Sequence, residues 1–368
     1  MIDYFNPVKV VKSDNWKEEL INYIKDYQIS SPLIITSKGT RKRLFLDSLL
    51  DSGFIFDDIQ SHPTLSECNR AIEYCNDKSI DGLVAIGGGS VMDMAKVIMA
   101  HLNTNINEVR ELISYRKNYK KKINSIFLPT THGTASEVTM WGTLWDKTEN
   151  KKYSISNIGL YPTCTILDPS LTISLPLDTS IITVMDALSH SFEAIWNKNA
   201  NEKSTSYAIE AIILILNNID KLKSNPMDLI VRNNLLIASN LAGLAFSNTK
   251  TAAAHSISYP LTIYYGIPHG IASSITLIPL LDLCADKING PIKKIILDLG
   301  MNSIEDLKEK IKKIPDGYLK FHLSEWNIAQ RDYELIIKKS FTKDRMDNFI
   351  HDIDATKMTS ILKSVQGV

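Results

Sequence analysis

The chain has 368 residues, 44% of them apolar and 22% charged, and its 41 Lys plus Arg equal its 41 Asp plus Glu. Zero net charge excludes a global field for nucleic acid or an anionic membrane, so the expected partner is a small molecule. No apolar run of bilayer length and no leader segment stands out, which predicts a cytoplasmic protein with no membrane partner, and at about 100–200 residues per domain the length predicts two domains.

Along the first half, short apolar runs alternate with helical patterns. Leu33-Ile34-Ile35-Thr36 precedes a helix over 40–52, Gly82-Leu83-Val84-Ala85-Ile86 precedes a helix over 90–102, and Ser125-Ile126-Phe127-Leu128 follows. Short, fully apolar strands separated by helices predict a parallel sheet covered on both faces, a Rossmann-like α/β layer. The last strand signal, Thr165-Ile166-Leu167, ends at Asp168-Pro169. From about Thr179 the pattern is almost entirely amphipathic helix, as in 201–222 and 228–248. The turn-rich stretch 168–177, punctuated by Pro169 and Pro176, places the boundary so that 1–172 form an α/β domain and 173–368 an all-α domain. Cys68, Cys75, Cys164 and Cys284 are scattered, with no Cys-x-x-Cys pair, and predict reduced thiols.

Gly87-Gly88-Gly89-Ser90 follows a strand directly and opens a helix. Backbone without side chains can approach a phosphate there while helix N–H groups point at it, although three glycines also serve a plain tight turn. The run Pro129-Thr130-Thr131-His132-Gly133-Thr134-Ala135-Ser136-Glu137 offers small residues and hydroxyls after the next strand, where open α/β sheets bind ligands. Asp186 and His190 stand four apart in a helical stretch and share a face. His255 lies in a later helix, and His269 follows it by fourteen residues, beyond Gly266 and Pro268. One carboxylate and three imidazoles suit Fe(II) or Zn(II) with a position left open, although each His alone is more often structural.

The strings GGGSVMDMAK, PTTHGTASE, DALSHSFEA and AAAHSISYPLTIYYGIPHG resemble, in order and separation over almost the whole chain, the motifs of the iron-containing alcohol dehydrogenases. The resemblance implies a dehydroquinate synthase-like fold and a metal-dependent, NADPH- or NADH-linked enzyme interconverting a small alcohol and aldehyde, in the direction of aldehyde reduction; a homodimer is common in the family. It implies metal ligation by Asp186, His190, His255 and His269. It also implies cofactor contacts from Gly87, Gly88, Gly89, Ser90, Asp93, Thr130, Thr131, Thr134 and Lys152.

Several positions depart from the family pattern. His132 stands where Ala is usual and either packs or faces the substrate; Trp141 stands where Asn is common. Tyr259 replaces a His associated with proton transfer, so the donor is its phenol, His132, a water or a ribose hydroxyl, or Tyr259 merely packs. Ser37 stands where NAD-preferring members often carry Asp, and with Lys38, Arg41 and Arg43 nearby this favours NADPH. The strings TMWGTLWDKTENKKYSI and EAIWNKNAN are similar to the branch that includes phosphonoacetaldehyde reductases, with sulfoacetaldehyde reductases as neighbours. Butyraldehyde and lactaldehyde reduction, a dehydroquinate synthase or glycerol-1-phosphate dehydrogenase type of activity, and a non-catalytic filament or binding relative are the alternatives.

Overall fold

The computed structural model describes residues 4–50, 53–114, 122–149 and 151–367. It divides into two compact units. One consists of Pro7–Thr131 and Ala135–Thr172; the other consists of Ile173–Val368 with His132–Thr134 and the N-terminal segment up to Asn6.

The first unit runs β1 (Lys9–Lys12), α1 (Trp16–Asp26), β2 (Pro32–Ile35), α2 (Lys38–Leu44), β3 (Phe54–Phe56), α3 (Leu65–Cys75), β4 (Gly82–Gly87), α4 (Gly89–Thr104), α5 (Arg110–Ser114), β5 (Asn124–Pro129), β6 (Trp141–Asp146), β7 (Lys151–Ser156) and β8 (Cys164–Leu167). Six strands form one sheet in the order β1-β8-β5-β4-β2-β3, every pair parallel. Residues of alternate parity feed opposite faces. Leu33, Ile35, Leu83, Ala85 and Phe127 pack with Cys68, Ile72, Met94 and Ile98 of α3 and α4. Ile34, Val84, Ile86, Ile126, Leu128 and Ile166 pack with Trp16 and Leu20 of α1. Two buried faces explain why the central strands read as continuous apolar runs.

The edge strands β1 and β3 and the antiparallel hairpin β6–β7 were not signalled by such runs. β1 carries a lysine at each end with half-buried residues between, and β6 alternates buried and half-buried residues. The helix expected over 40–52 is shorter. α2 stops where Phe45 turns left-handed at φ 53, followed by one 3-10 turn at Leu46–Ser48; residues 51–52 lie outside the described residues.

The second unit continues with α6 (Leu177–Ile195), α7 (Glu202–Ser224), α8 (Leu229–Thr249), α9 (Ala253–Tyr265), α10 (His269–Ser274), α11 (Leu277–Cys284), α12 (Asn289–Asp298), α13 (Ile304–Lys312), α14 (Tyr333–Ser340) and α15 (Ala355–Ser364). α6, α7 and α8 pack together and α10 lies on α6. Against the expectation that no segment reaches bilayer length, α8 is long and apolar enough by composition to cross a membrane, with a mean hydropathy of 1.3; 61% of that window is buried within the unit.

The approach of α10 to α6 needs a glycine. A Cβ at Gly270 would overlap the Ile182 carbonyl oxygen, a backbone atom that cannot swing aside. Gly270→Ala is therefore expected to cost about 1–3 kcal/mol in urea unfolding. Gly290→Ala, whose added Cβ meets nothing within 4 Å, is expected to hold or gain stability. An unchanged midpoint for Gly270→Ala removes the close-approach argument.

Candidate metal centre and cofactor turn

In the first unit, β4 ends at Gly87 and α4 opens at Gly89, with Gly88 extended at the N-cap and supplying no side chain to the first helical N–H groups. A Cβ at Gly87 would come within 2.6 Å of Val91, and one at Gly88 would lie 3.0 Å from the Thr131 methyl. The turn therefore needs glycine for its own packing as well as for ligand access. The Thr130 N–H donates to the Gly87 carbonyl at 3.1 Å, tying the two loops together, and Ser90 Oγ accepts from the His62 N–H at 3.1 Å.

Beneath the turn lies an interaction that the motif alone does not signal. Lys96 is fully buried, and its Nζ donates to the Ser136 carbonyl (2.7 Å), Ser136 Oγ (2.8 Å), Thr139 Oγ1 (2.9 Å) and the Trp141 carbonyl (2.8 Å). Burial pulls this ammonium down towards about 7, while Asp93 and Glu137 hold its proton. Asp93, itself raised by burial, accepts from Ser136 Oγ at 3.1 Å. The departure at Trp141 thus leaves a backbone carbonyl in use as one of the lysine's acceptors. Lys152 lies over the Trp145 ring at 5.6 Å, and His62 meets the same ring edge-on at 4.9 Å.

The cations invoked for NADPH are balanced by carboxylates. Arg41 pairs with Asp47 and Asp57, and Lys38 pairs with Asp58 at 3.5 Å. Ser37 caps α2, its Oγ accepting from the Thr40 N–H at 3.3 Å and donating to Thr40 Oγ1 at 3.0 Å. The sequence argument counted the nearby positive charges and missed Asp57 and Asp58 at the carboxyl end of β3, beside the end of β2.

In the second unit, α6, α9 and α10 bring Asp186, His255 and His269 together, with one ligand atom from each lying within 4.8 Å of the others. Asp186 Oδ1 is 3.5 Å from His255 Nε2 and 3.8 Å from His269 Nε2. Glu193 grips His255 twice, accepting from its backbone N–H at 3.0 Å and facing Nδ1 at 2.6 Å. That contact places the ring proton on Nδ1 and leaves the Nε2 lone pair facing a carboxylate oxygen, where it has no hydrogen-bond partner. Two buried acceptors facing one another are costly unless a cation sits between them. A proton can serve the same end: burial opposes the charged ring, but Glu193 and Asp186 push His255 up to about 9. Burial likewise opposes the Asp186 anion, and His190, His269 and His255 overcome it, holding the carboxyl well below its usual range. Ser273 Oγ donates to Asp186 Oδ1 at 2.8 Å. The donor set of one carboxylate and imidazole nitrogens, with a carboxylate behind one imidazole, fits a first-row divalent ion.

His190, expected as the fourth ligand, is placed differently. Its ring stacks between Phe246 and His255 at 4.1 and 4.4 Å, and its buried Nδ1 has no hydrogen-bond partner. Burial lowers it to about 4, so it is neutral. Glu193 and Ser273 went unremarked in the sequence, although each carries a positional signal. Glu193 is seven residues after Asp186 and Ser273 four after His269, both on the same helix face as the earlier residue.

His132 is completely buried with neither ring nitrogen hydrogen-bonded. Burial and Arg232 lower it to about 3. The ring is thus neutral and sealed from solvent, the surroundings of the packing alternative. Thr134 and His132 group with the helical unit, where a Cβ at Gly133 would come within 2.6 Å of the Thr183 carbonyl oxygen. Tyr259 lies half-buried under the Arg345 guanidinium, 4.6 Å from the ring centroid, and burial raises its phenol to about 12.

A glycine turn on a parallel sheet, together with a helical unit whose buried acceptors call for a cation, defines the class of metal-dependent, nicotinamide-linked oxidoreductases. The chain belongs to the iron-containing alcohol dehydrogenase family: the model of the iron-containing alcohol dehydrogenases matches residues 7–169, and that of the family's C-terminal region matches 180–366. It is accordingly an oxidoreductase acting on CH–OH groups. It is 27% identical to alcohol dehydrogenase 4 of Schizosaccharomyces pombe, over 87% of this chain and 78% of that one. It is 29% identical to an aldehyde-alcohol dehydrogenase of Streptococcus pneumoniae over 73% of this chain, and spans 33% of that longer protein. The crystal structure of sulfoacetaldehyde reductase from Bifidobacterium kashiwanohense in complex with NAD+ superposes with a TM-score of 0.92 at 26% identity, covering 99% of this chain and 98% of that one.

Glu193→Gln keeps the shape and removes the charge behind His255. It is expected to weaken Zn(II) affinity about 10–100-fold in a chelator competition titration; unchanged affinity shows that Glu193 does not support a ligand.

Proposed function

We propose that the chain is a metal-dependent, NADH-linked reductase of a small aldehyde bearing an anionic head, phosphonoacetaldehyde first and sulfoacetaldehyde second. The observation that carries the metal-dependent reading is the buried cluster of Asp186, His255 and His269, whose ligand atoms lie within 4.8 Å of one another, with Glu193 behind His255. The substrate reading is supported by the local strings shared with the phosphonoacetaldehyde branch and by the likeness to the sulfoacetaldehyde reductase. The carboxylates that occupy Arg41 and Lys38 favour a ribose hydroxyl over a 2′-phosphate at the end of β2.

Asp186, His190, His255 and His269 would hold Fe(II) or Zn(II). Bound there, the ion supplies Lewis acidity at a carbonyl oxygen, and reduced nicotinamide supplies the hydride. Glu193 keeps the proton of His255 on Nδ1, so that Nε2 stays a ligand. Ser273 orients the Asp186 carboxylate. Gly87, Gly88 and the opening of α4 bind the pyrophosphate, with Thr130 tied to the Gly87 carbonyl and Asp93 held by Ser136 within the hydrogen bonds around Lys96. The Tyr259 Oη, kept protonated by burial, is the side-chain group proposed to hand a proton to the nascent alcohol.

Loss of the reduced nicotinamide signal in metal-reconstituted enzyme tests the reading across phosphonoacetaldehyde, sulfoacetaldehyde, butyraldehyde and lactaldehyde. The expected result is a kcat/KM at least about tenfold higher for an anionic aldehyde and for NADH over NADPH. Even activity over neutral aldehydes keeps the dehydrogenase and discards the anionic substrate. His269→Ala is expected to abolish turnover while leaving NADH binding intact; full turnover after metal repletion removes the ligand assignment.

A further inference from the structure

An anionic substrate head needs a cation within reach of the carbonyl site, and the segment after α14 brings one to α9. Ser256 Oγ, beside His255, donates to the Ser340 carbonyl at 2.6 Å and meets Thr342 Oγ1 at 2.5 Å. Asn348 Nδ2 donates to the Thr251 carbonyl at 2.9 Å, and the Asn348 carbonyl accepts from the Lys198 N–H at 2.7 Å. Residues 340–348 are therefore pinned to the start of α9 at both ends, with a left-handed residue, Asp344 at φ 63, just before Arg345. The pinning presents the Arg345 guanidinium to the Tyr259 ring, 4.6 Å from its centroid.

Tyr259 follows His255 by four residues, on the same face of α9 and about 6 Å further along its axis. It also feels the charge of Glu193, the carboxylate that grips His255. The ring that carries the cation thus follows the imidazole of His255 by one helical turn, a rise on the scale of a two-carbon aldehyde with a tetrahedral head. A guanidinium carries five N–H donors in one plane, so one stacked on an aromatic ring can bind two oxygens of an anion as a pair beside a protein partner that it keeps. Both Tyr259 and Arg345 are half-buried, so a solute can reach them and still be partly desolvated.

We propose that Arg345, held on the Tyr259 ring, binds the phosphonate or sulfonate head and sets the enzyme's selectivity for anionic aldehydes. This rests on the substrate reading proposed above. It gives Tyr259, the departure from the family histidine, a second task as the platform for the cation.

The test compares wild type, Arg345→Gln and Arg345→Lys in metal-reconstituted enzyme with phosphonoacetaldehyde, sulfoacetaldehyde and butyraldehyde, and with ethylphosphonate as a competing probe. Losing charge-assisted hydrogen bonds in Arg345→Gln is expected to raise KM for the two anionic aldehydes about 10–100-fold, with kcat little changed. The selectivity ratio over butyraldehyde should fall by the same factor. Arg345→Lys should recover part of it, and ethylphosphonate should compete in wild type and fail in Arg345→Gln. Wild-type KM values in Arg345→Gln, or an equal fall for all three aldehydes, overturn the assignment. If wild type shows no preference for an anionic aldehyde, the substrate reading falls, and the ethylphosphonate arm decides the subsite: Arg345-dependent competition keeps an anion site there, and no competition removes it.

Discussion

A carboxylate and an imidazole nitrogen, buried face to face and reconciled only by a proton or a cation between them, are the constraint around which the helical unit is organised. Asp186 and His255 are both almost fully buried, and neither acceptor satisfies the other. Water cannot relieve the conflict cheaply at that depth, so a cation is the economical solution. The surroundings are arranged to keep the arrangement in place. Glu193 holds one ring nitrogen, Ser273 holds the carboxylate, and Ser189 Oγ in turn donates to the Ser273 carbonyl at 2.6 Å. The close passage of α10 over α6 at Gly270 carries His269 and Ser273 to Asp186.

The nucleotide-type unit has its own internal pin. Lys96 hangs from the second turn of α4 and collects three residues of the 136–141 segment, so the glycine turn and the following polar loop are fixed by one buried ammonium. Such a group is expensive to bury, and four oxygens around it are what make the burial tolerable. The loop between β5 and β6 is shared out: Thr130, Thr131 and Ala135 onward belong with the sheet, whereas His132, Gly133 and Thr134 pack with the helices.

The proposed substrate side rests on departures from the family pattern rather than on its motifs. Tyr259 is a larger and less basic residue than the histidine common at its position, and its exposed ring face is covered by Arg345. His132 adds an imidazole where a methyl group is usual, yet it is sealed in the helical unit beside Arg232, whose guanidinium is itself committed to the Pro226 and Leu175 carbonyls and to Ser180 Oγ. Two polar residues at unusual positions thus differ in setting, one half-buried under a guanidinium and the other sealed, and only burial and partners separate them.

The parallel sheet, the long helices, the glycine turn and the Asp186–His190 and His255–His269 spacings could all be read from the chain. Each is written in a local signal: apolar runs, helical periodicity, absent side chains, or residues a fixed number of positions apart. β1, β3 and the β6–β7 hairpin escaped because half-exposed strands carry weaker patterns. The partners of Arg41 and Lys38 were not legible either, because Asp57 and Asp58 stand at the end of the next strand and meet these cations only once β2 and β3 pair. Glu193 and His255 are separated by 62 positions, and Ser273 and Asp186 by 87. No local pattern encodes such partners. The sequence by itself determined which residues were available for a metal and a nucleotide. The tertiary structure decided which nitrogen of His255 faces Glu193, which rings His190 stacks on, and which carboxylates occupy Arg41 and Lys38, because those outcomes depend on desolvation and on contacts made only when distant segments pack.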